Sequence, residues 1–149
     1  MATVPYKPKA YHTVTPYVMV RGVEQLIEFT QKAFDATLLH KTKDESDRVF
    51  HAEIIIGDSP MMLSEGRAPE WPSQAASFYL YVPDCDLLYK QAMAAGATSI
   101  MEPADQFYGD RHGGVKDASG NSWWLATHIE DVSEEEIERR MRERAKPTA

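Results

Sequence analysis

The sequence predicts an α+β fold in which one β-α-β-β-β unit occurs twice in tandem, followed by a C-terminal helix. The first observation is a strand-turn-helix segment that recurs. Thr15-Pro-Tyr-Val-Met-Val20 leads into a helical pattern closing on Phe34-Asp-Ala-Thr37, and Ser77-Phe-Tyr-Leu-Tyr-Val82 leads into one closing on Ala95-Gly-Ala-Thr98. Val20 and Val82 are 62 residues apart, Thr37 and Thr98 are 61 apart. The second observation is that His51–Ser64 and Val115–Thr127 both read as strand, turn, strand, with Leu63 and Leu125 again 62 apart. Agreement in order, element type and offset across both halves marks a repeated supersecondary unit.

The elements follow in chain order. Residues 12–20 form the first strand, with alternation strongest from Tyr17 to Val20. Val23, Leu26, Ile27, Phe29, Ala33 and Phe34 then recur with the period of an amphipathic helix. Strands over 37–43, 48–56 and 61–65 complete the first unit, the last two joined at Gly57-Asp-Ser-Pro60. No helix start follows those four residues, so they are a turn and not a phosphate loop. Glu65–Gln74 is rich in turn formers and reads as a linker.

The second unit has a strand at 77–82 and a helix marked by Leu87, Leu88, Ala92, Met93 and Ala95. Asp84 or Asp86 supplies its N-cap and Gly96 a left-handed C-cap. Strands at 98–103, 107–116 and 122–128 follow, with Asp117-Ala-Ser-Gly-Asn121 as the last turn. Gly109, Gly113 and Gly114 weaken the strand at 107–116 and point to bulges or close backbone approach. In the tail, Ser133 with Glu136 forms a capping box and Val132 with Ile137 a hydrophobic staple. Glu135–Arg139, Glu136–Arg140 and Glu138–Arg142 are favourable pairs one turn apart. Its apolar stripe, Ile137, Met141 and Ala145, suits docking on the chain's own body or on a second subunit. The organisation expected is one domain over 1–149, with module 1 at about 12–65, a linker at about 66–75, module 2 at about 76–128 and the last helix at about 133–146.

Composition removes several function classes. A net charge of −7 with scattered Lys and Arg argues against nucleic-acid binding. Apolar runs are only a few residues long, so no membrane span is expected. Cys85 is the sole cysteine, which excludes an internal disulfide and a cysteine metal cluster. The first twelve residues lack the apolar stretch of a signal peptide, and cytoplasmic residence is expected. No P-loop, dinucleotide glycine motif, nucleophile elbow, HExxH or Cys-His zinc pattern is present.

The duplicated unit resembles the glyoxalase/bleomycin-resistance/extradiol-dioxygenase superfamily, also called vicinal oxygen chelate, and within it the PhnB-like branch. His51-Ala-Glu-Ile-Ile-Ile-Gly-Asp-Ser59, Met61-Met-Leu-Ser-Glu65, Phe107–Asp117 and Ser119–His128 carry the likeness, which spans about 12–130. That branch often has Asp-Pro before its glycine turn, whereas this chain has Ala118. The resemblance implies tandem βαβββ modules forming a curved mixed sheet around a cup, with helices outside, and a homodimer. Metal enzymes of the superfamily place four His or Glu side chains on the cup face. Strand register carries those positions to Thr15, Met62, Ser77 and Trp124, each pair 62 apart. None is a useful ligand for a catalytic divalent ion, so no metal and no cofactor is expected.

Other candidates follow from alternation. Phe50, Ala52, Ile54 and Ile56 share one strand face, leaving His51, Glu53 and Ile55 on the cup side. His51 and Glu53 are candidates for acid/base work, or a pair that satisfies itself. Tyr17, Met19, Tyr79, Tyr81 and Trp124 face the cup, with Trp123 on the helix side. Tyr and Trp there suit a planar or amphipathic ligand, or fill the barrel as core. Asp110, Arg111 and His112 stand at the cup mouth, where Arg111 pairs with Asp110 or binds a ligand anion. The expected ligand pocket is thus Thr15, Tyr17, Met62, Ser64, Ser77, Tyr79, Tyr81, Arg111 and Trp124. Three functions remain open: binding a small organic molecule in the cup; a lyase, isomerase or dioxygenase-like enzyme using His51 and Glu53 or an unpredicted metal site; and a homodimer whose cup its own side chains fill.

Overall fold

The computed structural model describes residues 3–148, so residues 1, 2 and 149 of the expected domain lie outside it. Its elements run β1 (Tyr17–Val20), α1 (Val23–Phe34), β2 (Thr37–Lys43), β3 (Val49–Ile56), β4 (Ser59–Glu65), β5 (Ser77–Tyr81), α2 (Cys85–Ala94), β6 (Thr98–Asp105), β7 (Asp110–Lys116), β8 (Ser122–His128) and α3 (Glu134–Arg144). Two mixed four-stranded sheets result, ordered β1-β4-β3-β2 and β5-β8-β7-β6. In each, the strand before the helix pairs parallel with the unit's last strand, and the remaining pairs are antiparallel. The tandem modules and the C-terminal helix are therefore as the repeat predicted.

Two strands begin several residues later than expected. β1 begins at Tyr17 rather than at residue 12. Pro16 has no N–H to offer a ladder, and its carbonyl accepts from Met62 N at 2.9 Å as pairing starts. β7 begins at Asp110 rather than at residue 107. Gly109 takes the left-handed φ of +98°, and an added Cβ there would collide with the carbonyl oxygen of Glu130. The chain turns at that residue instead of continuing the strand.

One hydrophobic core joins the units. Ala52 and Ile54 of β3 are fully buried, as alternation required. Phe34 of α1 lies 4.9 Å from the Trp123 ring of β8, which stacks on Phe78 at 4.5 Å. Gln91 of α2 donates its side-chain amide to Ala33 O at 3.1 Å, tying the two helices. Trp123 is fully buried because Asp117 takes its indole N–H at 2.8 Å.

Helix ends are satisfied individually. Asp84 caps α2, accepting from Leu87 N at 3.0 Å. The start of α1 is capped from a distance: the Glu65 carboxylate accepts from Gly22 N and Val23 N at 2.9–3.1 Å. Ser133 caps α3 through Glu136 N at 3.2 Å, but Glu136 binds Arg139 and Arg140 instead of reaching back. Arg139 pairs with Glu136 and Glu143, not with Glu135. Arg140 docks α3 on its own chain through Phe107 O at 3.0 Å and Glu130. No helix among the described residues is long and apolar enough to cross a membrane.

Candidate functional site

The strand pairings locate the cup side of each sheet. Tyr17 faces Met62 across β1/β4, and Tyr79 faces Trp124 across β5/β8, each a displacement of 62. Residues directly opposite in a sheet share a face. His51 opposes Ser64 and His112 opposes Ala126, so His112 is the second unit's counterpart of His51 at an offset of 61. In the sequence His112 stands among the charges Asp110 and Arg111, which hides its correspondence with His51. The Thr37/Thr98 offset of 61 was the signal that could have matched them.

In the first unit, Ser64 Oγ is bonded to Tyr17 Oη and to His51 Nδ1, each at 2.9 Å. Tyr17, Met19, Phe50, His51, Ser64 and Trp71 line a groove of about 240 Å³. Glu53 is on the same face two residues on, and no hydrogen bond joins it to His51. Tyr11 packs beside Glu53. Burial first, then the Glu53 carboxylate, push its phenol up to about 12. Among the described residues, Tyr11 Oη is the one buried side-chain polar atom without a hydrogen-bond partner.

The second unit carries a denser network centred on Asp110, which is 3% exposed. Asp110 Oδ2 accepts from Tyr79 Oη and Tyr81 Oη, and Oδ1 from His128 Nδ1, all at 2.9 Å. Burial alone would raise the Asp110 pKa, but the hydrogen bonds from His128, Tyr79 and Tyr81 outweigh it and hold the carboxyl below its ordinary value. The other nitrogen of His128 meets Asp131 Oδ1 at 2.8 Å. Both ring nitrogens therefore face carboxylates, and Asp131 and Asp110 raise the His128 pKa. Burial raises the Tyr79 phenol, reinforced by Tyr108 and Asp110, while Tyr81 is raised chiefly by its bond to Asp110. His112 is lowered by burial, which outweighs the opposing pull of Asp110. Its Nδ1 is 2.6 Å from Tyr108 Oη and 3.0 Å from Tyr79 Oη.

The four positions carried over from the metal enzymes are equally definite. Thr15 precedes β1 and turns its hydroxyl to His12 O at 3.0 Å. Ser77 Oγ accepts from Trp124 Nε1 at 3.2 Å. Met62 offers a thioether and Trp124 an indole N–H donor, a set that does not fit a hard or borderline divalent ion. Among the described residues no three His, Cys, Asp or Glu side chains converge as a metal-holding group.

Arg111 departs from expectation. It lies on the helix side of β7, because alternation turns it away from its neighbours Asp110 and His112. Its guanidinium is held by Asp86 at 2.7 and 3.0 Å and by Asp105 at 3.0 Å. It neither pairs with Asp110 nor faces the cup. The structure thus brings Tyr17, His51 and Ser64 together in one half-cup. In the other it joins Tyr79 and Tyr81 through Asp110, and Ser77 with Trp124.

The sequence pattern of the glyoxalase/bleomycin resistance protein/dioxygenase superfamily matches residues 10–125. Uncharacterized proteins of Mycobacterium bovis and Mycobacterium tuberculosis are 30% identical over 138 residues, which cover 86% of this chain and 91% and 81% of theirs. Among solved structures, TioX from Micromonospora sp. ML1 is similar with a TM-score of 0.64 at 20% identity, over 78% of this chain and 99% of that one. A family enzyme from Burkholderia phytofirmans PsJN gives 0.59 at 21% identity, over 76% and 95%. Fosfomycin resistance protein FosX from Mesorhizobium loti gives 0.56 at 17%, over 78% and 91%. These likenesses show the fold. With two β-α-β-β-β units in register and a family pattern across most of its length, the chain belongs to the glyoxalase/bleomycin resistance protein/dioxygenase superfamily.

Proposed function

We propose that this protein binds a small organic molecule in its cup without the divalent metal of the superfamily's enzymes. The observation that carries this is the composition of the cup faces. Tyr17, Tyr79 and Tyr81 remain 54%, 42% and 66% exposed, and the ion-holding corners carry Thr, Met, Ser and Trp. Large aromatic rings left open to solvent on a concave face suit a flat or amphipathic ligand. That exposure also argues against a cup filled by this chain's own side chains. A fold neighbour named for fosfomycin resistance supports small molecules as a class for this fold.

Each half-cup is open within one chain, and a second copy closes it in a C2 homodimer. The PhnB-like branch rests on the clusters at 51–65 and 107–128, and cytoplasmic residence on the single, buried Cys85. Catalysis at His51 and Glu53 is the alternative reading. It has less support, because Ser64 occupies His51 Nδ1 and nothing joins the two side chains. Native mass spectrometry of the purified protein tests the proposal. It predicts a dimer free of stoichiometric divalent metal that gains mass with an aromatic ligand; a metal held one per site would refute it.

A further inference from the structure

His112 has a contact pattern that proton counting resolves. Tyr79 has one phenolic proton, and it is donated to Asp110 Oδ2 at 2.9 Å. Asp110 accepts three such bonds and is ionised at neutral pH, so it has no proton to return. Toward His112, the Tyr79 oxygen therefore presents lone pairs only. A lone pair on His112 Nδ1 facing it at 3.0 Å would set acceptor against acceptor, whereas Nδ1–H turns the contact into a hydrogen bond. Nδ1–H is also the assignment that satisfies both contacts at once: the Tyr79 and Tyr108 oxygens then both accept, whereas a bare Nδ1 could take a proton from Tyr108, 2.6 Å away, but not from Tyr79.

The opposite nitrogen, Nε2, has no hydrogen-bond partner among the described residues. It is also not a buried orphan, a class that among the described residues Tyr11 Oη alone fills. Nε2 is thus open to an incoming group. Flat surfaces flank the His112 ring: the Tyr79 ring centroid lies 5.6 Å and the Trp124 ring centroid 5.7 Å from its own, with the Tyr81 ring 5.3 Å from that of Tyr79. Trp124 is seated against Gly114, where an added Cβ would lie 2.5–2.6 Å from its ring carbons. The first unit lacks this device. There His51 Nδ1 meets the Ser64 hydroxyl, which donates or accepts by rotation and fixes no tautomer.

We infer that the chain Asp110–Tyr79–His112 locks His112 in the Nδ1–H tautomer, so that Nε2 is a hydrogen-bond acceptor selecting flat aromatic ligands that carry an acidic O–H or N–H. This rests on the cup-binding reading and names the ligand chemistry for its second half. Long-range ¹H–¹⁵N correlation spectra at neutral pH read the tautomer directly, with His112 assigned by its loss in H112Q. The expected result is a protonated Nδ1 and a bare Nε2. In Y79F, Tyr108 donates to Nδ1 and the tautomer switches to Nε2–H, a change that a merely structural Tyr79 would not cause. A bare Nδ1 in the wild type overturns the inference. Equilibrium dialysis with 4-chlorophenol, which keeps its O–H at neutral pH, and 4-chloroanisole reads the selection. The phenol binds about tenfold tighter, the worth of one well-made hydrogen bond, and Y79F and H112Q erase the difference. Equal binding of the two probes overturns the inference and leaves cup binding standing; no binding of either overturns both.

Discussion

Asp110→Ala isolates the network at the centre of the second half-cup. Three hydrogen bonds to one carboxylate, at about 1.5–3 kcal/mol each, would total about 4–9 kcal/mol if nothing offset them. Two terms do. The donors Tyr79 and Tyr81 are 42% and 66% exposed and the His128 side chain 52%, so water re-engages all three. Removing a carboxylate that is 3% exposed also relieves its burial penalty. The net loss is about 2 kcal/mol, or roughly 4–8 °C in Tm for a chain of this size. The pH dependence has a definite sign. Asp110 is depressed in the folded state, so its contribution is fully present above its ordinary value of 3.8 and is lost as pH falls through the folded value. Thermal unfolding of wild type and D110A should therefore differ at pH 7 and converge as pH falls below 3.8 through the depressed folded value. A gap under about 0.5 kcal/mol at pH 7, or one that widens in acid, would refute the reasoning.

Further outcomes follow from other contacts. Asp117→Ala should destabilise by about 3–5 kcal/mol in urea unfolding, since it orphans the buried Trp123 indole and Asn121 amide along with two turn N–H groups. D117N should lose less, and equal losses would show that the carboxylate is not what holds the turn. Gly114→Val should displace the Trp124 ring, seen as a shift in tryptophan emission and weaker binding of aromatic probes, while the core Trp123 stays put. His128 is raised in the folded state, so the stability it lends is present below pH about 6.5 and fades as pH rises through its folded value. H128N should flatten that slope in Tm between pH 6 and 9; an unchanged slope would place its origin elsewhere.

Much of the fold was legible because burial imposes period. Ala52 and Ile54 alternate with His51 and Glu53, and one face had to enter the core. The 62-residue spacing fixed which strands correspond, and the pairing of Tyr17 with Met62 and Tyr79 with Trp124 repeats it. What escaped depends on partners distant in sequence. Glu65 caps α1 from the end of β4, a contact no local pattern announces. Asp110 gathers donors from β5 and β8, so its role emerges only once three strands are in register. Arg111 looks like one cluster with Asp110 and His112 in the sequence, but neighbours on a strand point to opposite faces, and it pairs with Asp86 on the helix side. The correspondence of His112 with His51 is masked in the 62-residue spacing because the one-residue slack in the repeat carries through to β7.

Thermal unfolding against a panel of aromatic acids and phenols, each with and without a chelator, tests metal-free cup binding most directly. A ligand at 100 times its Kd should add about 2.7 kcal/mol, raising Tm by roughly 5–11 °C, and the rise should be the same with the chelator present. A rise that needs a divalent ion and vanishes on chelation would contradict the account.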